Sequence, residues 1–295
     1  MRFVDLIGTT VGDRYRLNAL IGRGGVSAIF EGIDIEDGRK IAVKVMTDAK
    51  GDTINRQRFE REAQLVSRMD HPNICRIYHY WHDDEGVPYM AMELIEGKTL
   101  ATLTEDYEPL EFERAIAITE DICLGLDYAH KMGVVHRDLK PENIMIENPD
   151  STEETVKILD FGLAKNPRDT SMEKLTQTGW VPGTPGFMSP EQIMGKELDG
   201  RSDLYSLACV FYLMLTGKEV FEHKNPLEVM RRHAKDEPVL DPALPSSLIP
   251  FFTIALEKSP EKRFENAGNC RRHKGLKQFR QLSRYSHFTG LNLRV

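Results

Sequence analysis

The chain has 295 residues, enough for one large domain or two ordinary ones. Its 40% hydrophobic and 29% charged residues exclude a disordered chain, a collagen and a small disulfide-stabilised module. The net charge of −7 is uneven, because residues 265–295 hold seven Lys or Arg against Glu265 alone. This part of the chain, with residues 271–295 as a basic C-terminal tail, could bind a phosphate-rich partner or fold back on its own domain, but a solvated final helix is the favoured interpretation.

Three features bear on location. The longest apolar run, Leu207 to Leu215, has nine residues, whereas a membrane span needs about 20, so it predicts a buried helix. Asp5 interrupts the stretch where a signal peptide would be apolar. The cysteines form no CxxC pair, which favours a reducing compartment. We expect a cytoplasmic protein with no membrane-inserted segment, and nothing in the sequence points to nucleic acid.

In chain order, the hydrophobic period changes once. From Tyr15 to Met46 apolar residues recur at spacing two, which predicts a meander of strands. From Phe112 onward the longer segments have helical spacing, and Gly133 supplies a helix stop. Between them, residues 90–100 predict a strand that leads into a connection containing glycine, with a hinge at 93–97. The prediction is an α+β protein with a β-rich first lobe and a mainly helical second lobe.

A glycine-rich segment lies between the first two predicted strands. Its residues are Gly22, Arg23, Gly24, Gly25, Val26 and Ser27. Glycines let backbone amides approach phosphate oxygens, so such a loop can cover a nucleotide. The alternative is an ordinary hairpin turn. A dinucleotide-binding fingerprint is disfavoured because a strand, not a helix, follows.

The next predicted strand carries Ala42 and Lys44 on one face, so that a flat ring would fit beside a cation. Glu62 falls in the apolar stripe of the following helical segment, and a carboxylate there needs a cationic partner. Lys44 is the candidate partner. Alternatively Lys44 extends to solvent, and Glu62 pairs with Arg58 at i, i+4 spacing.

The segment His136-Arg137-Asp138-Leu139-Lys140-Pro141-Glu142-Asn143, with Asp160-Phe161-Gly162 seventeen residues after Asn143, resembles the catalytic loop and magnesium-binding triplet of protein kinases. The resemblance implies a bilobal protein-kinase fold over residues 12–270. Its β-rich N-lobe would cover about 12–93, the hinge 93–97 and the helical C-lobe 98–270. Ser189-Pro190-Glu191 stands in place of the usual APE triplet, and Arg263 would pair with Glu191.

More narrowly, GRGGVSAIF, HPNI, HRDLKPEN and GTPGFMSPEQ resemble the bacterial branch of eukaryotic-type (Hanks-type) serine/threonine kinases. Lys140 and Thr184 carry that distinction in the resemblance. It implies transfer of the γ-phosphate of ATP, with Mg²⁺ or alternatively Mn²⁺, to Ser or Thr hydroxyls of protein substrates.

The resemblance also implies individual roles. Asp138 would accept the hydroxyl proton, Lys140 would steady the γ-phosphate, and Lys44, held by Glu62, would bind the α- and β-phosphates. Asn143 and Asp160 would hold the metal ion. The backbone from Gly22 to Ser27 would close over the phosphates. The adenine contacts would come from Ile29, Ala42, Met92, Glu93, Ile95 and Met145, with Met92 as gatekeeper. Asp203 would be buried against catalytic-loop amides.

Asp160 and Glu191 are separated by 31 residues, which is long enough for a loop that can be ordered or disordered. Such a loop suggests regulation. Thr176 and Thr178 resemble the paired activation-loop threonines of bacterial kinases. A phosphate on them would give Arg137 an anionic ligand, and a homodimer could carry out the transfer between copies. Thr170 and Ser171 compete for this role, and the alternative is that Thr176 and Thr178 are both ordinary polar loop residues.

Two other function classes stay open. A pseudokinase acting as a nucleotide-sensing scaffold would bind ATP without turnover. A small-molecule kinase, such as those that phosphorylate aminoglycosides, would lack a protein acceptor groove, whereas the segment around Thr184 and Ser189 favours a protein substrate.

Overall fold

The computed structural model describes residues 3–24, 27–46, 63–105, 108–151, 153–161 and 185–276. The chain divides into two compact units, Met1–Glu96 and Gly97–Val295. The predicted α+β fold with a β-rich first part and a helical second part is confirmed.

The first unit is built on an antiparallel sheet of six strands in the order β1-β2-β3-β4-β6-β5. The strands are β1 (Thr10–Val11), β2 (Tyr15–Arg23), β3 (Ser27–Asp34), β4 (Lys40–Met46), β5 (Ile77–His82) and β6 (Pro88–Glu93), preceded by a 3-10 helix at Phe3–Leu6. The predicted meander from Tyr15 to Met46 therefore corresponds to β2, β3 and β4.

The alternation of side chains gives this sheet two different faces. Ala28, Phe30, Val43, Val45 and Ala91 belong to one buried apolar cluster. Because successive side chains of a strand point to opposite faces, the residues between them lie on the other face. Those are the positions of Ile29, Ala42 and Lys44.

The second unit combines a small sheet with helices. The sheet has the order β7-β8-β9. Its strands are β7 (Gly97–Thr99), β8 (Ile144–Glu147) and β9 (Thr155–Ile158). The helices are α1 (Leu100–Leu103), α2 (Phe112–Lys131), α3 (Pro190–Ile193), α4 (Gly200–Thr216), α5 (Pro226–Lys235), α6 (Ile249–Ala255) and α7 (Ala267–Arg271), with 3-10 turns at Pro141–Asn143, Pro185–Phe187 and Pro260–Lys262.

Helix α4 is the buried helix that the apolar run from Leu207 to Leu215 predicts. It begins at the N-cap Asp199, whose carboxylate accepts from the Arg201 backbone N–H at 2.8 Å. It ends at Gly217, whose φ of 68° suits a residue without Cβ. All residues from Ser202 to Leu215 are buried. Within the described ranges, no helix is long and apolar enough to cross a membrane.

Candidate active site

The sheet face opposite the apolar cluster holds Gly22, Ile29, Ala42, Lys44 and Met92 of the predicted nucleotide-binding residues, whereas Glu93 pairs with Ile41 of that cluster. Gly22 pairs with Ile29, and Ile29 pairs with Lys44 on the next strand. Ala42 pairs with Met92 of β6. Directly opposed residues of antiparallel strands share a face, so the pairing aligns a glycine, an aliphatic side chain and a cation in one row.

The turn between β2 and β3 is closed by a backbone hydrogen bond, in which Gly24 N donates to Ser27 O at 2.8 Å. A Cβ on Gly24 would lie 3.3 Å from Ser27 Oγ, closer than ordinary contact. Gly25 and Val26, at the tip of the predicted phosphate loop, lie outside the described residues, as does Glu62, the predicted partner of Lys44.

The end of β6 is fixed by contacts of Glu93. Its N–H donates to Arg76 O at 2.8 Å, and its carboxylate accepts from Arg76 N at 3.2 Å. The Cys75 thiol donates to Glu93 O at 3.7 Å. These bonds hold the strand end at which adenine contacts are predicted, and Met92 and Ile95 nearby are half-buried.

In the second unit, the predicted base Asp138 is held by its own loop. Asn143 Nδ2 donates to Asp138 O at 2.8 Å and to Asp138 Oδ2 at 3.2 Å. Lys140 Nζ lies 3.8 Å from Asp138 Oδ2, and both side chains are partly exposed. The carboxylate is thus oriented by an amide and a cation, and it stays open to solvent.

Asn143 and Asp160 are the predicted metal ligands. Because Asn143 uses Nδ2 on Asp138, its Oδ1 atom is left as an acceptor for a cation. Asp160 follows β9 with a φ of 48°. Its neighbours are tied to the catalytic loop, since Leu159 N donates to Asn143 O at 2.8 Å and His136 Nε2 donates to Leu159 O at 2.8 Å. Phe161 packs on the His136 ring, with 4.8 Å between centroids.

An amide oxygen and a carboxylate fit Mg²⁺, which prefers hard oxygen ligands. It is usually bound by one or two protein groups together with substrate phosphates and water. Among the described residues, no group of three or more His, Cys, Asp or Glu forms a metal cage. The predicted pair of Asn143 and Asp160 would leave the other positions around a Mg²⁺ ion to phosphate and water.

The backbone of the catalytic loop is bound by Asp203 of α4, which is 1% exposed. Its carboxylate accepts from His136 N at 2.8 Å, from Arg137 N at 2.9 Å and from His130 Nε2 at 2.7 Å. Burial opposes ionisation of Asp203, but hydrogen bonds from His130 and the loop amide outweigh it, so the pKa is lowered. The expectation that Asp203 is buried against catalytic-loop amides is confirmed.

The segment after the predicted activation loop is anchored by a buried ion pair. Arg263 Nη1 lies 2.7 Å from Glu191 Oε1, and Arg263 Nη2 lies 2.8 Å from Glu191 Oε2. Ser202 Oγ also donates to Glu191, at 2.7 Å. This bidentate geometry confirms the expected pairing of Glu191 with Arg263.

Two contacts of the catalytic loop could not be read from the sequence. His130 lies in the last turn of α2, where a basic residue is usual for the helix dipole. Gln192 follows the SPE triplet, and its Nε2 donates to Arg137 O at 2.7 Å. The quoted motif GTPGFMSPEQ contains Gln192, but no local pattern assigns its partner.

The regulatory predictions fall outside the described residues. Thr176 and Thr178, their competitors Thr170 and Ser171, and Thr184 all lie between residues 162 and 184. The basic tail beyond Leu276 lies outside them as well. Arg137 is described, and it has a φ of 65°.

The protein kinase domain family matches residues 15–274 of this sequence. The chain belongs to that family. The probable serine/threonine-protein kinase CE0033 of Corynebacterium efficiens is 37% identical to this kinase domain over 269 residues, 87% of the chain and 40% of the relative. The serine/threonine-protein kinase PknB of Mycobacterium tuberculosis is 37% identical over 267 residues, 88% of the chain and 42% of the relative.

The kinase domain therefore spans about two fifths of the length of these curated relatives. The crystal structure of the Mycobacterium tuberculosis PknI kinase domain superposes with a TM-score of 0.69 at 23% identity, covering 92% of this chain and 98% of that one. This likeness shows the fold, and it agrees with the architecture described above.

Proposed function

We propose that this kinase domain is an active serine/threonine protein kinase. It transfers the γ-phosphate of ATP to a Ser or Thr hydroxyl of a protein, giving a phosphoester, ADP and a proton. The hydroxyl oxygen forms a bond to the γ-phosphorus while the bond from that phosphorus to the β-γ bridging oxygen breaks. The names of the curated relatives support this reaction class.

The observation that carries the proposal is the orientation of Asp138 by Asn143 and Lys140, at 3.2 and 3.8 Å from its carboxylate. A general base must be held within hydrogen-bond reach of the proton that it takes. Asp138 accepts the hydroxyl proton, and Lys140 neutralises charge on the transferred phosphoryl group. Phosphoryl transfer depends mostly on positioning and charge neutralisation, which is what these three side chains provide.

The remaining predicted residues bind the nucleotide. Lys44, with Glu62 as its partner, binds the α- and β-phosphates, and the backbone from Gly22 to Ser27 covers them. The adenine ring lies among Ile29, Ala42, Met92, Glu93, Ile95 and Met145. Asn143 and Asp160 would hold Mg²⁺, and the bound ion would neutralise charge on the phosphates. The row of Gly22, Ile29 and Lys44 across β2, β3 and β4 supports this assignment.

Substitution of the base tests the activity. Asp138→Asn keeps the shape of the side chain but removes its basicity, so we expect transfer to fall by about 10² to 10⁴-fold. Binding of an ATP analogue should persist. The measurement is transfer of labelled phosphate to a protein acceptor with Mg²⁺, followed by identification of the modified residue. Asp84→Asn, an exposed change in the turn between β5 and β6, is the matched control.

The alternatives predict different results in the same assay. A pseudokinase binds the ATP analogue but gives no transfer in the wild type. A small-molecule kinase phosphorylates an aminoglycoside and leaves proteins unmodified. Wild-type activity that survives Asp138→Asn would show that Asp138 is not the base.

We further propose that autophosphorylation at Thr176 and Thr178 activates the domain, and that one copy phosphorylates another within a transient homodimer. A dianionic phosphate near Arg137 would form charge-assisted hydrogen bonds with its guanidinium. The resemblance of the LTQTGW segment to bacterial activation loops motivates this proposal.

Mixing wild-type protein with the inactive Asp138→Asn chain tests the transfer between copies. We expect phosphate on Thr176 and Thr178 of the inactive chain, and an initial rate that rises with the product of the two concentrations. The double change Thr176→Ala with Thr178→Ala should lower activity toward an added substrate and spare ATP binding. Full activity with both threonines unmodified would contradict this regulation.

A further inference from the structure

The backbone at Arg137, directly before the proposed base, has a left-handed conformation with a φ of 65°. A residue with a side chain rarely adopts this conformation unless its surroundings hold it there. Here both flanking peptide groups are held. Arg137 N donates to Asp203 Oδ1 at 2.9 Å, and Arg137 O accepts from Gln192 Nε2 at 2.7 Å.

The orientation of the Gln192 amide is fixed by a second hydrogen bond. Its Oε1 atom accepts from Ser189 N at 2.9 Å, which is one half of a capping box at the start of α3. The other half is the bond from Gln192 N to Ser189 Oγ, at 3.4 Å. With the oxygen used on Ser189, the NH₂ group is directed to the Arg137 carbonyl, and Gln192 as a whole residue is 7% exposed.

Helix α3 is itself a firm support. Glu191, the residue before Gln192, is bound by Arg263 through two hydrogen bonds, and both charged side chains are buried. Ser202 of α4 donates a further hydrogen bond to Glu191. Asp203, which holds the other side of Arg137, belongs to α4 as well. The two groups that hold Arg137 are thus connected through α4.

We propose that Gln192 is a positioning residue for phosphoryl transfer, acting on Asp138 through the Arg137 carbonyl. It couples the SPE segment to the catalytic loop, so that the loop keeps the conformation in which Asp138 is aligned. This inference rests on the proposed kinase activity. Gln192 does not touch the reacting atoms, and its effect is transmitted through the backbone of the residue before the base.

The chemistry of the side chain makes the inference specific. An amide accepts from Ser189 N and donates to Arg137 O at the same time. An ionised carboxylate at this position accepts but cannot donate, and a methionine side chain does neither. Gln192→Glu therefore keeps the cap and loses the hold on Arg137. Ser189→Ala removes the hydroxyl cap, keeps the bond to Arg137, and restores the usual APE triplet.

The experiment compares Gln192→Met, Gln192→Glu and Ser189→Ala with the wild type. We measure kcat per ATP-binding site, the KM for ATP, and hydrogen exchange of the amides from residue 134 to 140. We expect both Gln192 variants to lose roughly ten- to a hundredfold in kcat. Their KM for ATP should change by less than about threefold. Loop amides should exchange faster in both, while Ser189→Ala resembles the wild type in all three measurements.

The outcomes separate this inference from the proposed function. Gln192 variants with wild-type kcat and unchanged exchange would overturn it, as would an equal loss in Ser189→Ala, which would reduce Gln192 to a helix cap. If Gln192→Met fails to fold, Gln192→Glu decides the question. A wild-type protein without any transfer would contradict the kinase proposal, and hydrogen exchange would still test the hold on Arg137.

Discussion

At the scale of single residues, the buried pair of Glu191 and Arg263 shows how a charge is tolerated in the core. The side chains are 4% and 0% exposed. Arg263 also donates to the carbonyls of Glu257, Lys258 and Arg201, at 2.7, 3.1 and 3.1 Å. Burial opposes ionisation of Glu191, but the hydrogen bond and charge of Arg263 outweigh it, so the pKa is lowered.

Removing the cation should therefore be costly. Arg263→Met leaves the buried Glu191 carboxylate without its cationic partner, and we expect a loss of about 3–5 kcal/mol in the free energy of unfolding. Urea denaturation at neutral pH measures it. The loss should shrink at lower pH, because protonation of Glu191 removes the unpaired charge.

Lys131→Met is the matched control, since Lys131 is 74% exposed and pairs with Asp127 across one helical turn. Its cost should stay below about 1 kcal/mol. Similar losses for Lys131→Met and Arg263→Met would show that the buried pair contributes no more than a surface one.

At the scale of elements, the small sheet of the second unit depends on a close approach of backbones. Gly97 of β7 pairs with Glu147, and Thr99 pairs with Met145, a proposed adenine contact on β8. A Cβ on Gly97 would collide with the carbonyl oxygen of Ile146. The strand pairing therefore requires glycine at this position for steric reasons.

Gly97→Ala should force β7 away from β8. We expect a loss of about 1–3 kcal/mol in stability, as for other overpacked sites, and faster hydrogen exchange of the amides from Ile144 to Glu147. Lys98→Ala, on the same strand, adds no collision and serves as control. Unchanged exchange in Gly97→Ala would mean that the strand accommodates the methyl group.

At the scale of the whole molecule, stability should depend on pH through a buried neutral imidazole. Burial, and then the nearby charge of Lys258, lowers the pKa of His233 to about 3. The ring is 0% exposed, its Nδ1 bonds to the Tyr205 hydroxyl at 2.9 Å, and Phe221 packs on it edge to face. Only the unfolded chain takes up the proton at mildly acidic pH.

Acid should therefore destabilise the protein through this residue. The unfolded state binds the extra proton below its pKa of about 6.5, so the free energy of unfolding falls by about 1.4 kcal/mol per pH unit below that value. Above about pH 6.5 the effect is absent. Urea denaturation from about pH 7.5 to 4.5 should show a steeper fall for the wild type than for His233→Gln. Equal pH dependence of the free energy of unfolding in the two proteins would contradict this role of His233. The carboxylate groups contribute equally to both proteins, so their effect cancels in the comparison.

The sequence by itself determined the elements and the motif. Apolar residues at spacing two predicted β2 to β4, and the apolar run from Leu207 to Leu215 predicted the buried core of α4. Both predictions were possible because the local pattern of hydrophobic residues reflects which side chains are buried. The hairpin of β8 and β9 turns at Asn148 and Asp150, which have φ of 49° and 69°, and Asn and Asp adopt positive φ more readily than most side chains. The octapeptide around Asp138 gave the family.

Only the tertiary structure decided which side chains hold the catalytic loop. His130 and Asp203 are 73 residues apart in sequence, and Gln192 and Arg137 are 55 apart. A local pattern reports on neighbours within about one helical turn, so a histidine near a helix end or a glutamine after a helix start gives no sign of a distant partner. The left-handed backbone of Arg137 is likewise bound by the distant residues Asp203 and Gln192, and no preference of arginine itself predicts that conformation.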